Sequence, residues 1–254
     1  MRTVAVMGAS GGAGVTTVAA SLARALHAAG HPALAFDINP DNTLRLPFGM
    51  HWDDRFGLGP ALLAGGDWRE AAYRSAAGAD FVPFGELADD SELAALAELF
   101  RNEPGWLRRE LASLDLPPET VAVCDCPRLP SPFAAQALAA ADLVLVVLAP
   151  DPVSYAVAGR IVERSQRSGA PPACLLLNHF EPARPLHRDL VLLLRAMAGS
   201  ALAPVTLHRD THVSDALACK QGVLDFAPAS QAAHEFATLA TWTLARLGRG
   251  AEAA

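Results

Sequence analysis

The residues best placed to do chemistry lie in the segment Val4-Ala-Val-Met-Gly-Ala-Ser-Gly-Gly-Ala-Gly-Val-Thr-Thr17. An apolar run of strand character breaks there into Gly11, Gly12 and Gly14, and two hydroxyls, Thr16 and Thr17, follow closely. Glycines at this spacing let successive backbone N–H groups converge on an anion, and the N-terminus of the following helix adds a partial positive charge. A hydroxyl two residues after the last glycine is placed to meet Mg2+ at bound phosphates. This is the chemistry of a phosphate cradle, with one departure. Such a loop normally carries a lysine against the β- or γ-phosphate, whereas the only lysine of this chain is Lys220. The backbone part of the device is present without its cation.

A cradle of this kind needs a strand before it and a helix after it, and the chain supplies that alternation throughout. Apolar runs predict strands over Thr3–Met7, Pro32–Asp37, Asp80–Pro83, Thr120–Asp125, Leu143–Ala149, Ala173–Asn178 and Ala203–Leu207. Longer Ala- and Leu-rich segments predict helices over Val15–Ala29, Ser91–Phe100, Trp106–Ser113, Pro132–Ala140, Ser154–Arg167, Leu186–Ala198, Val213–Cys219 and Gln231–Leu247. Leu143–Ala149 is apolar without alternation, which marks a strand buried on both faces of a mostly parallel, doubly wound α/β sheet. One domain is expected over residues 1–248 with a flexible tail at 249–254, and Asp54–Gly66 reads as a surface loop with a short helix. Ligands of such sheets collect at the carboxyl ends of the strands. The polar residues that end the runs fall there: the glycine loop after the first, Asp37 after the second, Asp125 after the fourth and Asn178 after the sixth.

Composition narrows the classes of partner. The 254 residues are 52% hydrophobic and 19% charged, with a formal charge of −7, which suits a well-packed globule and argues against nucleic acid as a partner. Cys124, Cys126, Cys174 and Cys219 show neither a CxxC pair nor a secreted framework, so a cytoplasmic setting is expected, with Cys124 and Cys126 as small buried hydrophobes on one strand face. His208 and His212 have a one-face helical spacing, but Arg209 stands where a zincin carries its glutamate. No run is long enough to span a membrane, and the C-terminal helical pattern lacks a basic face, so no direct membrane insertion is expected. Trp68, Trp106 and Trp242 are read as core or half-buried packing residues in preference to partner anchors.

The turn Met7–Gly14 also resembles the glycine turn of short-chain dehydrogenases. That reading requires a Tyr-x-x-x-Lys pair; Lys220 has Ala216 four residues before it, and neither Tyr73 nor Tyr155 is followed by lysine at that distance. An oxidoreductase therefore stays a remote alternative.

The constellation resembles the deviant Walker A ATPases related to septum-positioning MinD and partitioning ParA proteins, over nearly the whole chain. Ser10–Thr17 stands at their lysine-rich loop, Ala33–Asn42 at the second strand and switch I, and Val121–Pro127 at the Walker B and switch II segment. Leu175-Leu-Leu-Asn178 matches the strand whose terminal asparagine reads the adenine edge, and His208–Gly222 the segment that closes over the base. Pro40–Leu46, Gly66–Arg69, Val82–Gly85, Asp125–Arg128, His208–Asp210 and Ala218–Gln221 are similar to the BcsQ (YhjQ) proteins of bacterial cellulose-synthesis operons.

The resemblance implies a subunit that binds ATP and Mg2+, forms a homodimer around nucleotide and pairs with a small BcsR-like companion. It also implies support of an inner-membrane cellulose synthase complex, reached peripherally through partners. It assigns nucleotide contacts to Ser10, Gly11, Gly12, Ala13, Gly14, Val15, Thr16, Thr17, Asn178, His208, Arg209 and Asp210. Metal contacts fall to Thr16, with Asp125 and Asp37 in the outer shell. The departures bear on turnover. Ser10 replaces the superfamily's cross-subunit lysine, Val15 replaces the ordinary P-loop lysine, and Asn39 replaces the switch I aspartate that orients water. Catalytic residues are thus unassigned, with Asn39, Asp41 and Asp125 as candidates, and hydrolysis is expected to be slow or absent. Arg128, beside the switch II segment, is a candidate for a cation brought in by a second subunit. The alternative function is a scaffold that keeps the fold and has lost nucleotide.

Overall fold

The computed structural model describes residues 1–165 and 171–252, so the expected end of one helix at Arg167 lies outside the described residues. The chain begins with β1 (Arg2–Gly8), α1 (Val15–Ala28), β2 (Ala33–Asp37), α2 (Leu58–Leu63), β3 (Tyr73–Arg74), β4 (Asp80–Val82), α3 (Asp90–Asn102) and α4 (Trp106–Ala112). It continues with β5 (Val121–Asp125), α5 (Pro132–Ala140), β6 (Leu143–Leu148), α6 (Pro152–Ser165), β7 (Ala173–Phe180), α7 (Pro185–Ala198), β8 (Leu202–His208), α8 (Thr211–Ala218), α9 (Val223–Phe226) and α10 (Gln231–Glu252). Among the described residues, eight strands form one sheet in the order β3-β4-β2-β5-β1-β6-β7-β8, parallel except where β3 pairs with β4.

Period-two alternation along each strand builds a core on both faces. Val4, Val6, Val121, Val123, Leu145 and Val147 point to the layer formed by α1 and α10, where Val18, Leu22, Leu26, Phe236 and Leu239 meet them. Ala5, Met7, Ala122, Cys124, Val144 and Val146 point the other way, to α3, α4 and α5 with Phe100, Trp106, Leu107 and Phe133. A strand covered on both sides cannot alternate with polar residues, which is why β6 reads as an unbroken apolar run. Cys124 and Cys126 are buried in this second core, and burial pushes the Cys124 thiol up to about 12, so both behave as small hydrophobes.

Trp68 and Trp106 are also core residues. The Trp68 ring lies edge-on to Phe36 at 5.4 Å and to Trp106 at 6.3 Å, and its indole N–H donates to Glu110 Oε2 at 2.8 Å. Trp242 packs half-buried against the α1 side. Strand β3 was not foreseen, because two residues carry no periodicity. It is held by Tyr73 stacking on Phe81 at 5.6 Å and by the Arg74–Asp80 pair at 2.6 Å. Helix α10 continues to Glu252, four residues into the segment expected as tail from residue 249. Its sequence there holds no proline to stop it, and the single turn beyond Gly248 is continued by helix-favouring Ala and Glu.

The topology fixes where a ligand can lie. From β1 the chain winds outward through α1 to β2, and from β5 it returns across β1 through α5 to β6. The order therefore reverses around β1, and the crevice at such a reversal opens at the carboxyl ends of the strands.

Candidate nucleotide site

The loop between β1 and α1 sits at that reversal. Gly12 has φ +74° and Gly14 φ +86°, conformations that side-chain-bearing residues adopt only with strain. Gly14 carries a second constraint, since a Cβ there would lie 2.5 Å from Asn178 Nδ2 and 3.2 Å from His179 Nε2. Gly14 precedes the first turn of α1 with no side chain capping it, so the free N–H groups of that turn face the crevice. The Asn178 amide donates to the carbonyl of Ala13 at 2.8 Å, which ties the end of β7 to the loop across 165 positions of sequence.

Thr16 is where the loop meets the second acidic segment. Its hydroxyl donates to Asp125 Oδ2 at 2.7 Å and lies 3.3 Å from the Thr43 hydroxyl. The other Asp125 oxygen, Oδ1, is buried without a hydrogen-bond partner among the described residues. Burial raises the Asp125 carboxyl to about 7, the Thr16 hydroxyl opposes that shift, and the charge of Asp41 adds to it. A buried carboxylate with an unused oxygen beside a threonine hydroxyl is a donor set for a hard cation such as Mg2+.

Asp37 stands level with Asp125, because β2 and β5 pair in register at these two residues. Burial, then the charge of Asp125, pushes its carboxyl well above the usual range. Its oxygens accept from the backbone N–H groups of Asn39 at 2.9 Å and Leu44 at 3.3 Å, so Asp37 braces the following loop. In that loop Asn39 Oδ1 accepts from the N–H of Asp41 at 3.2 Å, and Asn42, at φ +50°, accepts from the N–H of Gly85 at 3.1 Å. Asn39 is buried and serves a local turn, while Asp41 is exposed.

The two lysine positions are filled without charge. Val15 is turned toward the start of the loop, where a Cβ on Gly8 would meet its Cγ2 at 2.9 Å. Ser10 shares a hydrogen bond of 2.9 Å with Ser154, which in turn donates to Asp151 Oδ2 at 3.0 Å, so the loop is fastened to the first turn of α6.

Beside the loop opens a cleft of about 610 Å3, lined among others by Gly12, Thr17, Asn178, His179, His208, Arg209 and Asp210. The structure thus gathers all the sequence-derived candidates of the late segment onto one cavity with the loop. Their side chains are largely engaged with one another. Glu235 holds His208 twice, through Nδ1 at 2.6 Å and the backbone N–H at 2.8 Å. Asp210 accepts from the N–H of His212 at 2.9 Å and of Ala232 at 3.0 Å, starting both α8 and α10. Burial works against its charge, but these bonds and the His212 ring outweigh it and hold the carboxyl below its ordinary value. Arg209 lies 3.8 Å from Glu181.

Sequence reasoning missed His179, Glu235, Thr43 and the Asp151–Ser154 pair. His179 has φ +56°, and burial followed by the charge of Arg209 lowers its pKa. Its position after Asn178 was the one available signal; Glu235, 27 residues from its partner, offered none.

With this geometry in view, comparison with known proteins decides the family. The profile described as "Cellulose biosynthesis protein BcsQ" matches residues 1–244. The chain belongs to the BcsQ family. The "Cellulose biosynthesis protein BcsQ" of Escherichia coli K12 is 30% identical over 251 residues, covering 96% of this chain and 94% of that protein. Among solved structures, MinD from Pyrococcus horikoshii complexed with Mg-ADP superposes with a TM-score of 0.73 at 20% identity, covering 94% of each chain. The cobyrinic acid a,c-diamide synthase of Mycobacterium smegmatis with ADP and magnesium gives 0.72 at 21% identity, covering 94% of this chain and 92% of that one. This BcsQ-family chain therefore has the MinD/ParA-like fold, and none of its described helices is long and apolar enough to cross a membrane.

Proposed function

We propose that this BcsQ-family protein is an ATP- and Mg2+-binding regulatory or assembly subunit of a bacterial cellulose synthase system, acting as a nucleotide-dependent dimer with little or no intrinsic hydrolysis. The observation that carries the reading is the junction of Thr16 and Asp125. A hydroxyl 2.7 Å from a buried carboxylate whose second oxygen is unpartnered stands beside the uncapped start of α1. In this reading Gly11–Thr17 surround the phosphates and Thr16 contacts the metal, with Asp125 in its outer shell. Asn178 and the His208–Asp210 segment flank the base. Bound Mg2+ would offset phosphate charge in a loop that has no lysine. Asp37 then acts through the switch loop it braces. MinD and the cobyrinic acid synthase, named above with Mg-ADP and with ADP and magnesium, support the choice of ligand through the shared fold. The family name supports the link to cellulose synthesis, and the small companion protein and the synthase complex are the proposed partners.

Slow hydrolysis follows from what the site lacks. Phosphoryl transfer depends on charge stabilisation and on an oriented water. Ser10 and Val15 supply no charge, and the amide of Asn39 is committed to its own turn. The ground-state cradle keeps its backbone donors.

Calorimetry of the full chain with ATP, with and without Mg2+, tests the reading. Wild type binds Mg-ATP, and Thr16→Ala weakens the Mg2+-dependent part by about tenfold or more while melting like wild type. Well-folded wild type that binds no nucleotide at millimolar ATP would make the protein a nucleotide-free scaffold.

A further inference from the structure

We infer that Arg128 supplies, from within the same chain, the positive charge that the missing lysines leave unfilled at the phosphates. The inference rests on the nucleotide reading above and names the residue that makes a lysine-free cradle workable.

Arg128 lies three residues beyond Asp125, on the carboxyl side of the sheet past the end of β5. A methyl group placed on Gly11 would lie 3.9 Å from Arg128 Nη1, so the guanidinium rests alongside the backbone of the phosphate loop. Arg128 is exposed and makes no hydrogen bond or ion pair among the described residues. The two arginines that line the cleft, and two further cations outside it, have partners. Arg209 and Arg184 approach Glu181 at 3.8 and 3.7 Å, and Arg24 is paired with Asp225. Lys220 is turned to the Trp52 ring, with Nζ 5.3 Å from its centre.

A guanidinium stays charged throughout the physiological range and presents a planar fork of donors that matches phosphate oxygens. Held beside the uncapped N–H groups at the start of α1, and with no carboxylate competing for it, its donors are kept for the ligand. The location bears on where the charge comes from. Sequence alone allowed Arg128 to act across a dimer; the fold sets it against its own loop. Ser10, at the superfamily's cross-subunit position, is tied to Ser154 of the same chain at 2.9 Å. Charge supplied in cis would let one subunit bind ATP before it meets another.

The test compares wild type, Arg128→Ala and Arg128→Lys as full chains, titrated calorimetrically with Mg-ATP and with adenosine. Analytical ultracentrifugation at the same concentrations reports the assembly state. Arg128→Ala is expected to weaken Mg-ATP binding by about 10- to 100-fold and to leave adenosine binding within about twofold, with Arg128→Lys recovering part of the loss. The loss should persist in samples that sediment as monomers. Wild type that binds Mg-ATP alongside an Arg128→Ala variant within about twofold of it overturns the inference. So does a loss confined to dimeric samples, which puts the guanidinium in trans. Wild type that binds no Mg-ATP fails for a different reason, since it removes the nucleotide reading itself.

Discussion

The phosphate loop and the late segment from His208 onward are built on opposite plans. At the phosphate end, Gly11–Thr17 offer backbone N–H groups, one threonine hydroxyl and a carboxylate with a spare oxygen, and the side chains that carry charge in comparable loops are absent. At the base end, polar and charged side chains are dense but paired: His208 with Glu235, His212 with Asp210, Arg209 with Glu181. Backbone donors are fixed by the fold, so the first end is preorganised for an anion and sensitive to geometry. At the second end these bonds tie β8, α8 and α10 together, so the side chains are spent on the fold before they reach a ligand. On the nucleotide reading proposed above, affinity is expected mainly from the loop, with the late segment contributing shape.

The strongest way to break this contrast is Gly14→Val. The side chain meets Asn178 Nδ2 and resists the left-handed backbone that the position requires, so ATP binding should vanish and stability should fall by about 2–4 kcal/mol in urea unfolding. A variant that binds ATP as wild type does would show that the loop is not the cradle. Next comes turnover. Val15→Lys with Asn39→Asp should raise the single-turnover rate by about 10²–10³ over wild type, whereas Val15→Lys alone should not, because water stays unoriented. Fast wild-type turnover abolished by Asp125→Ala contradicts the picture of a holding site.

A third measurement sharpens the electrostatics of the loop end. The Asp125 carboxyl is raised to about 7 in the folded chain against an unfolded value of 3.8. The folded state therefore binds the extra proton between these values, and its stabilising effect is complete below pH 4 and lost as pH rises through about 7. Without Mg2+, thermal or urea melts should show stability falling across that window, with Asp37 contributing in the same sense, and Asp125→Asn should make the slope shallower. An unchanged slope in the variant assigns the pH dependence elsewhere. The smallest effect belongs to the base end. Glu235→Gln keeps an acceptor for His208, so it should change ATP affinity by no more than about threefold and stability by about 1 kcal/mol. A loss as large as that of Thr16→Ala would erase the contrast between the two ends.

Much of this was legible in the sequence. Glycines and threonines act through backbone conformation and local order, so the loop, the helix after it and the strand-end positions of Asp37, Asp125 and Asn178 could be read without coordinates. Apolar runs gave seven of the eight strands among the described residues, and only the two-residue β3 was too short to show a pattern. The absence of lysine from the loop was likewise plain from residue identity, and the resemblance to the MinD and ParA ATPases implied the replacements at Ser10, Val15 and Asn39. What tertiary structure alone decided is which groups meet across long separations. The sequence could not show that Asn178 donates to Ala13, that Glu235 occupies His208, that Asp37 spends both oxygens on its own loop, or that Ser10 is fastened to Ser154. Nor could it show Arg128 lying over Gly11 of its own chain. Such contacts depend on how strands far apart in sequence are ordered side by side in the sheet, and side-chain direction at a strand end is set by those neighbours rather than by the residue itself.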